Sequence, residues 1–405
     1  MKTIKFRIEP NAAQKEAIDQ AIDANRLVYN NMVTACKIQY NKNGKMPSVF
    51  DLSRIGTRMR RNTPYVAKAY SMTLNETSKR VVQAFKKTLG DHEKETGMLF
   101  VEIMEFMMHG DRFPRYKSVN QFNSITYPIS SRDYSVITEK KDGKRRRFLK
   151  LGKVPGLIRC YNQSTEIKGD LKTCTIKRKD MGSHSVYYAS IAYEPLSKPY
   201  REPLKGPVGI DIGISNIVAF SDGEKVKNDR IFFHLASTLR KFHQRLSRLS
   251  PGTKMYGKIQ TRINHLYEKI RNHRRNNIET ISTHIVKDYG PIVMEDLSVM
   301  QIRRRSESRK MTNGYNDASL GYLRRRIQDK ASSAGREMIL VDPKGTSQTC
   351  SVCGETVKKD LSVRMHEGPH CKTIRDRDVN AARNILFRSG LVQAPWVDRP
   401  PASRA

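Results

Sequence analysis

The sequence predicts a multidomain α+β protein, and three observations predict it. Helical periodicity runs through the first hundred residues, short β-like runs broken by Gly, Pro and Asp follow from about 110 to 195, and strands alternate with helices beyond 200. At 405 residues the chain is also too long for one ordinary core.

The opening KTIKFRIEP alternates as a short strand. An amphipathic helix then begins near Asn11, with Ile18, Ile22, Val28, Met32 and Cys36 at near-helical spacing. Residues 65–89 repeat the pattern through Leu74, Val81, Phe85 and Leu89, with Gly90 as the expected C-cap. FNSITYPI, KTCTIKRKD and VYYASIAYE read as strands of a small β-barrel, to which the opening strand could add. The proline-rich YEPLSKPYREPLKGP marks a boundary near residue 200.

Beyond it, VGIDIG, NIVAFS, PIVME and EMILVD read as strands. Leu235, Leu239, Phe242, Leu246 and Leu249 step by four and three, and after Pro251 a second helix carries Ile263, Leu266 and Ile270. A further helix runs through Leu320, Leu323, Ile327 and Ala334. The stretch APWVDRPPASRA reads as a frayed tail.

Lysine and arginine number 75 against 40 aspartates and glutamates, a formal charge of +35. Such self-repulsion is best relieved by a polyanion, so nucleic acid is the expected partner. The runs at 58–61, 144–147, 271–275 and 303–310 could neutralise phosphate backbones, against the plain alternative of solvated faces. No apolar run approaches the roughly 20 residues that cross a bilayer, and MKTIKFRIEP lacks a signal-peptide pattern. A soluble, cytoplasmic protein with no membrane partner is expected. Three isolated cysteines (Cys36, Cys160, Cys174) and three clustered ones (Cys350, Cys353, Cys371) exclude a disulfide framework and fit a reducing compartment.

Three carboxylates stand out. VGIDIGISNIVAFSDG ends an apolar strand on Asp211, and GPIVMEDLS ends another on Glu295, with Asp296 turned to the opposite face. RDRDVNAARNILFRSG supplies Asp376 and Asp378 at the start of a short helix closed by Gly390. Any one such acid could be an ordinary solvated loop residue. Three on separate elements would repel one another unless hard cations neutralised them, and magnesium prefers such oxygen ligands while keeping water and substrate phosphate in its shell. In so basic a chain this implies phosphodiester chemistry, with the acids as ligands of two ions about 4 Å apart rather than as nucleophiles.

TSQTCSVCGE offers a Cys-x-x-Cys knuckle suited to zinc. HEGPHCKTIRDRD repeats only half of it, with Ile374 where a fourth cysteine would fall. The fourth ligand beside Cys350, Cys353 and Cys371 would be His370, His366 or water, unless the knuckle is metal-free.

With these motifs in order, GIDIGISNIVAFSDG, IVMEDLSVM, TSQTCSVCGE and DRDVNAARNIL, the chain resembles the TnpB family of transposon-encoded RNA-guided nucleases, ancestors of the compact type V CRISPR effectors. NRLVYNNMV and GDRFPRYKS are weaker echoes, and the match runs nearly end to end. The resemblance implies a wedge β-barrel domain (1–10 and 105–200), a helical recognition domain (11–104), an RNase H-like RuvC nuclease domain (201–343 and 375–390), a zinc-finger-like target-nucleic-acid-binding insertion (344–374) and a flexible tail (391–405). It implies a guide RNA of transposon or CRISPR origin, a target DNA duplex read beside a short motif, and a triad of Asp211, Glu295 and Asp378, with Asp376 as runner-up. The protein would be prokaryotic and nucleoid-associated, with one or two copies per RNA left open. On the recognition helix Asn75, Lys79 and Gln83 are spaced by four and could face a groove. Competing readings are an unguided structure-specific nuclease, a transposase-like enzyme, or a guide-dependent DNA-binding repressor that has lost cutting.

Overall fold

The computed structural model describes residues 1–43, 45–96, 113–141, 144–161, 167, 169–196, 202–296, 309–357 and 363–395. The basic run at 303–310 lies outside them up to residue 308, as does the tail from 396. The chain divides into two compact units, Met1–Ser197 and Lys198–Ala405. Among the described residues no helix is long and apolar enough to cross a membrane.

The first unit combines a curled sheet with helices. Strand β1 (Lys2–Glu9) leads into α1 (Ala12–Asn43), α2 (Val49–Asn62), α3 (Pro64–Ala67) and α4 (Ser71–Thr96). Strands β2 (Ser124–Tyr127), β3 (Tyr134–Lys141), β4 (Lys144–Leu151), β5 (Ile158–Cys160), β6 (Gly169–Asp180) and β7 (Ser185–Pro195) follow. Helix α1 starts where Asn11 and Gln14 cap each other: the Gln14 N–H donates to Asn11 Oδ1 at 2.9 Å, and the Asn11 N–H to Gln14 Oε1 at 3.0 Å. Ser48 and Asp51 make the same reciprocal cap on α2. The expected single helix over 65–89 is instead α3 and α4, and α4 runs through Gly90 to Thr96. Glycine costs a helix interior only about 1 kcal/mol against alanine, and the polar DHEKET stretch that follows can stay helical.

The seven strands form one sheet in the order β2-β6-β7-β1-β5-β4-β3. The opening strand does join it, running antiparallel to both β7 and β5. Helices and sheet share one hydrophobic cluster, in which Ile18, Met32, Val81 and Phe85 meet Phe6, Ile8, Ile125, Leu149 and Ile176. Among the described residues neither part has a separate core.

The second unit is built on β8 (Val208–Asp211), β9 (Asn216–Phe220), β10 (Lys225–Lys227), β11 (Ile292–Glu295) and β12 (Met338–Val341), ordered β10-β9-β8-β11-β12. The first three strands form an antiparallel meander, while β8, β11 and β12 run parallel. Parallel neighbours need long crossovers. Helices α5 (Ile231–Ser247) and α6 (Lys254–Asp288) precede β11, and α7 (Arg309–Ala318) and α8 (Leu320–Ser333) precede β12. The leucine stripe of α5 packs, as its periodicity required, on Ile259, Ile263 and Ile270 of α6.

Alternation along the strands divides the sheet's two faces. Ile210, Ile212, Ile292 and Met294 pack with Ile278, Ile281 and Ile285 of α6 and with Leu323 and Ile327 of α8. On the other face Val293 and Val341 pack with Ile385 and Leu386 of α9 (Arg377–Arg388). Between β12 and α9 lie the Cys-x-x-Cys turn and a two-stranded hairpin of β13 (Met365–Glu367) and β14 (Ile374–Asp376).

Candidate active site

Asp211 and Glu295 close neighbouring parallel strands, with Ile210 opposite Met294 in register. Each lies two residues beyond a position that faces α9, Asp211 after Gly209 and Glu295 after Val293, so both carboxylates emerge on the α9 side. Asp378 arrives from the first turn of α9 itself. The close approach depends on Gly209: a Cβ there would lie 2.0 Å from the Ala382 carbonyl oxygen and 2.7 Å from the Leu386 nitrogen. Only glycine lets the helix backbone rest on the strand. Asp296 takes the opposite face, as the strand period requires, and pairs with Arg324 of α8 at 2.6 Å.

Asp211 carries the electrostatic load of the site. The Asp211 carboxyl is pushed up to about 8, first by burial and then by the negative charges of Glu295 and Asp378, with Arg377 and the Ile212 N–H opposing. Burial also raises Glu295, against a hydrogen bond from Thr346 and the charge of Arg388. Glu295 is 9% exposed, and its Oε1 accepts a short hydrogen bond from Thr346 Oγ1. Asp378 Oδ2 accepts from Asn216 Nδ2 at 2.8 Å. Asn216 and Thr346 lie 162 and 51 residues from these partners, and no local pattern pointed to either.

The runner-up, Asp376, is occupied elsewhere. Its Oδ1 caps α9 by accepting from the N–H groups of Asp378 and Val379 at 3.0 and 3.3 Å, and its Oδ2 pairs with Lys225 Nζ at 2.6 Å. Burial opposes ionisation there, but the bonds from Lys225 and Val379 outweigh it and hold the carboxyl below its usual range.

Cys350, Cys353 and Cys371 come together, with all three sulfurs within 4.8 Å of one another and Cys350 Sγ 3.6 Å from Cys371 Sγ. Among the described residues this is the one set of three His, Cys, Asp or Glu side chains packed so closely; the three carboxylates stand further apart. Hydrogen bonding from Thr373, against the opposing effect of burial, lowers the Cys371 thiol to about 7. The expected fourth ligand, His370, is exposed and is not among the gathered groups, because it sits at the tip of the β13–β14 hairpin rather than inside it. His366 is buried on β13, and it too lies outside the trio.

Of the residues expected on nucleic acid, Gln83 is exposed on α4, Lys79 pairs with Glu76 at 2.5 Å and Asn75 is half-buried. The basic runs at 58–61 and 271–275 lie on α2 and α6; Arg271 and Arg275 are exposed, while Arg274 is held by buried Asp317 at 2.7 Å.

An acidic cluster on one face of an α/β sheet, in a chain with an excess of 35 positive charges, defines a protein built to act on nucleic acid. Three family models match: a probable transposase over residues 190–306, the TNB domain of Cas12f1-like proteins over 321–385, and a helix-turn-helix domain over 1–45. Among the described residues of that span the elements are β1 and one long helix, α1. A Streptomyces pristinaespiralis protein named "Putative RNA-guided DNA endonuclease" is 25% identical, covering 95% of this chain and 88% of its own. An Escherichia coli relative, "Putative RNA-guided DNA endonuclease InsQ", is 24% identical, covering 97% and 94%. The mini-RNA-guided endonuclease CRISPR-Cas_phi3 shares the fold at a TM-score of 0.55 and 9% identity, covering 96% of this chain and 92% of that one. The resemblance to the TnpB family and the compact type V effectors, first carried by four motifs, is borne out.

Proposed function

We propose that the chain is an RNA-guided DNA endonuclease that cuts duplex DNA beside a short adjacent motif, with Asp211, Glu295 and Asp378 as its catalytic acids. The observation that carries this reading is the placing of Asp211, Glu295 and Asp378 on one face of the second unit's sheet, where burial first, and then the charges of Glu295 and Asp378, lift Asp211 to about 8. Such a concentration of negative charge fits a hard divalent cation, and these three side chains would hold two magnesium ions. When bound, the ions supply Lewis-acid activation of water and stabilisation of the leaving 3′ oxygen. The chain itself fixes the donors: Asp211 and Glu295 by strand ends, Asp378 by a capped helix turn. The names and coverage of the two long relatives support a guide RNA and a DNA target.

On this reading residues 201–343 and 375–390 form an RNase H-like RuvC domain, a topology that the β10-β9-β8-β11-β12 order supports. Residues 1–10 and 105–200 form the wedge and 11–104 the recognition part of the first unit. Residues 344–374 form a target-nucleic-acid-binding insertion whose three cysteines hold zinc, with a water or a residue other than His370 completing the tetrahedron. The test is to purify the chain from cells carrying its native flanking DNA, sequence any bound RNA, and assay magnesium-dependent cutting of matching DNA. Discrete RNA and matched cutting support the reading. Absence of RNA, with cutting indifferent to target sequence, favours an unguided nuclease.

A further inference from the structure

The segment between β12 and the Cys-x-x-Cys turn is tied to the acidic face in an unusually ordered way. Three side chains of α9, at i, i+4 and i+8, donate to its backbone carbonyls. Asn380 Nδ2 reaches the Thr349 oxygen at 2.8 Å, Asn384 Nδ2 reaches the Thr346 and Thr349 oxygens at 2.8 and 2.7 Å, and Arg388 Nη1 reaches the Asp342 oxygen at 2.6 Å. Asn380 Oδ1 in return accepts the Ser351 N–H at 2.9 Å. Both asparagines are almost fully buried, at 1% and 3% exposure. Buried amides cost folding free energy unless they are hydrogen-bonded, and the Nδ2 groups of both find their acceptors on this loop.

What the loop fixes is Thr346. Its side chain is 3% exposed, and its hydroxyl lies between Glu295 Oε1 and the Pro343 carbonyl oxygen, the latter at 3.2 Å. The hydroxyl has one hydrogen, and two acceptors, Glu295 Oε1 and the Pro343 oxygen, lie within its reach. Glu295 is thereby held through Oε1. The helix that anchors Thr346 is the helix that carries Asp378, so two of the three acids are referenced to one rigid element.

We propose that Thr346 is a positioning residue for Glu295, and that Asn380 and Asn384 keep it there by pinning the 346–351 backbone to α9. This rests on the carboxylate-triad reading. Partners one bond behind a ligating carboxylate set its orientation, and losing one typically costs about 10- to 100-fold in metal affinity or activity.

The test compares Thr346→Val, which keeps size and branching but removes the hydroxyl, with Thr346→Ser, which keeps the hydroxyl. Each is prepared as the full chain with its bound RNA. Manganese binding is measured by water proton relaxation without DNA, and cutting is followed as rate against magnesium and against DNA. For Thr346→Val we expect manganese affinity and maximal cutting to fall about 10- to 100-fold with little change in half-saturating DNA, and for Thr346→Ser to restore both. Asn384→Ala should give the same loss in weaker form. If Thr346→Val melts out, Thr346→Ala against Thr346→Ser carries the same comparison. Manganese affinity and cutting equal to the parent's in the valine variant, while Asp211→Ala is inactive, overturn the proposal and leave the triad standing. Full cutting by Asp211→Ala overturns the triad reading itself.

Discussion

Gly209→Ala is the smallest change that should disable the acidic face. The added methyl would sit 2.0 Å from the Ala382 carbonyl oxygen, 2.7 Å from the Leu386 nitrogen and 2.8 Å from Leu386 Cβ, and none of these is the end of a flexible side chain. Ordinary contact begins near 3.4 Å, so α9 must retreat by 3.4 minus 2.0, or about 1.4 Å, unless β8 buckles. Asp378 travels with the helix and leaves Asp211, which stays on the strand. Overpacking of this kind costs about 1–3 kcal/mol. For a unit spanning 198–405 that is roughly 2–4 °C of melting temperature per kcal/mol. A displacement of about 1 Å at a reacting centre can cost on the order of a hundredfold in rate. The cutting rate of the RNA-loaded chain should therefore fall far more than its melting temperature suggests. A Gly209→Ala protein with the parent's melting curve and cutting rate would refute the claim that strand–helix contact sets the site.

Three further outcomes follow from the same geometry. Asp378→Ala should abolish cutting with little change in melting, whereas Asp376→Ala should lose a helix cap worth about 0.5–2 kcal/mol and keep measurable cutting; the reverse pattern of rates would make Asp376 the catalytic acid. Because Asp211 keeps its proton to about pH 8 when folded but to about pH 4 when unfolded, the folded state binds more protons across that window, and stability without divalent cations should fall as pH rises through it. Asp211→Asn should then melt above the parent at pH 8 in EDTA, with the gap closing toward pH 5; parallel curves would contradict the shift. Purified protein should carry about one zinc per chain, and Cys353→Ser should release it, as read by elemental analysis; equal zinc in both proteins would exclude the cysteine trio as its holder.

Much of the acidic face was legible in the sequence, because a strand's alternation is a strong local signal. Asp211 and Glu295 each end an apolar run, and the same period put Asp296 on the far side with Arg324. The leucine stripe at 235–249 likewise found its partner helix. Contacts between distant segments could not be read this way. Thr346 and Asn216 reach their acids across 51 and 162 residues, and each looks like an ordinary loop or strand polar residue until the chain folds. Gly90 looked like a helix stop because glycine often is one, yet α4 continues past it. The sequence offers His370, His366 or water as the fourth ligand beside the cysteines, and the hairpin turn carries His370 outward. The shared core of helices and sheet in the first unit was also invisible, because periodicity shows that a face is apolar without showing what covers it.

The most direct test of the account is to change the guide. The RNA that copurifies with the chain would be remade with a new target-complementary segment, loaded onto the parent and onto Asp211→Ala, and offered both the original and the new DNA with magnesium. Cutting that moves to the new DNA in the parent, and vanishes on both in Asp211→Ala, is the expected result. Cutting that stays on the original DNA, or persists in Asp211→Ala, would contradict it.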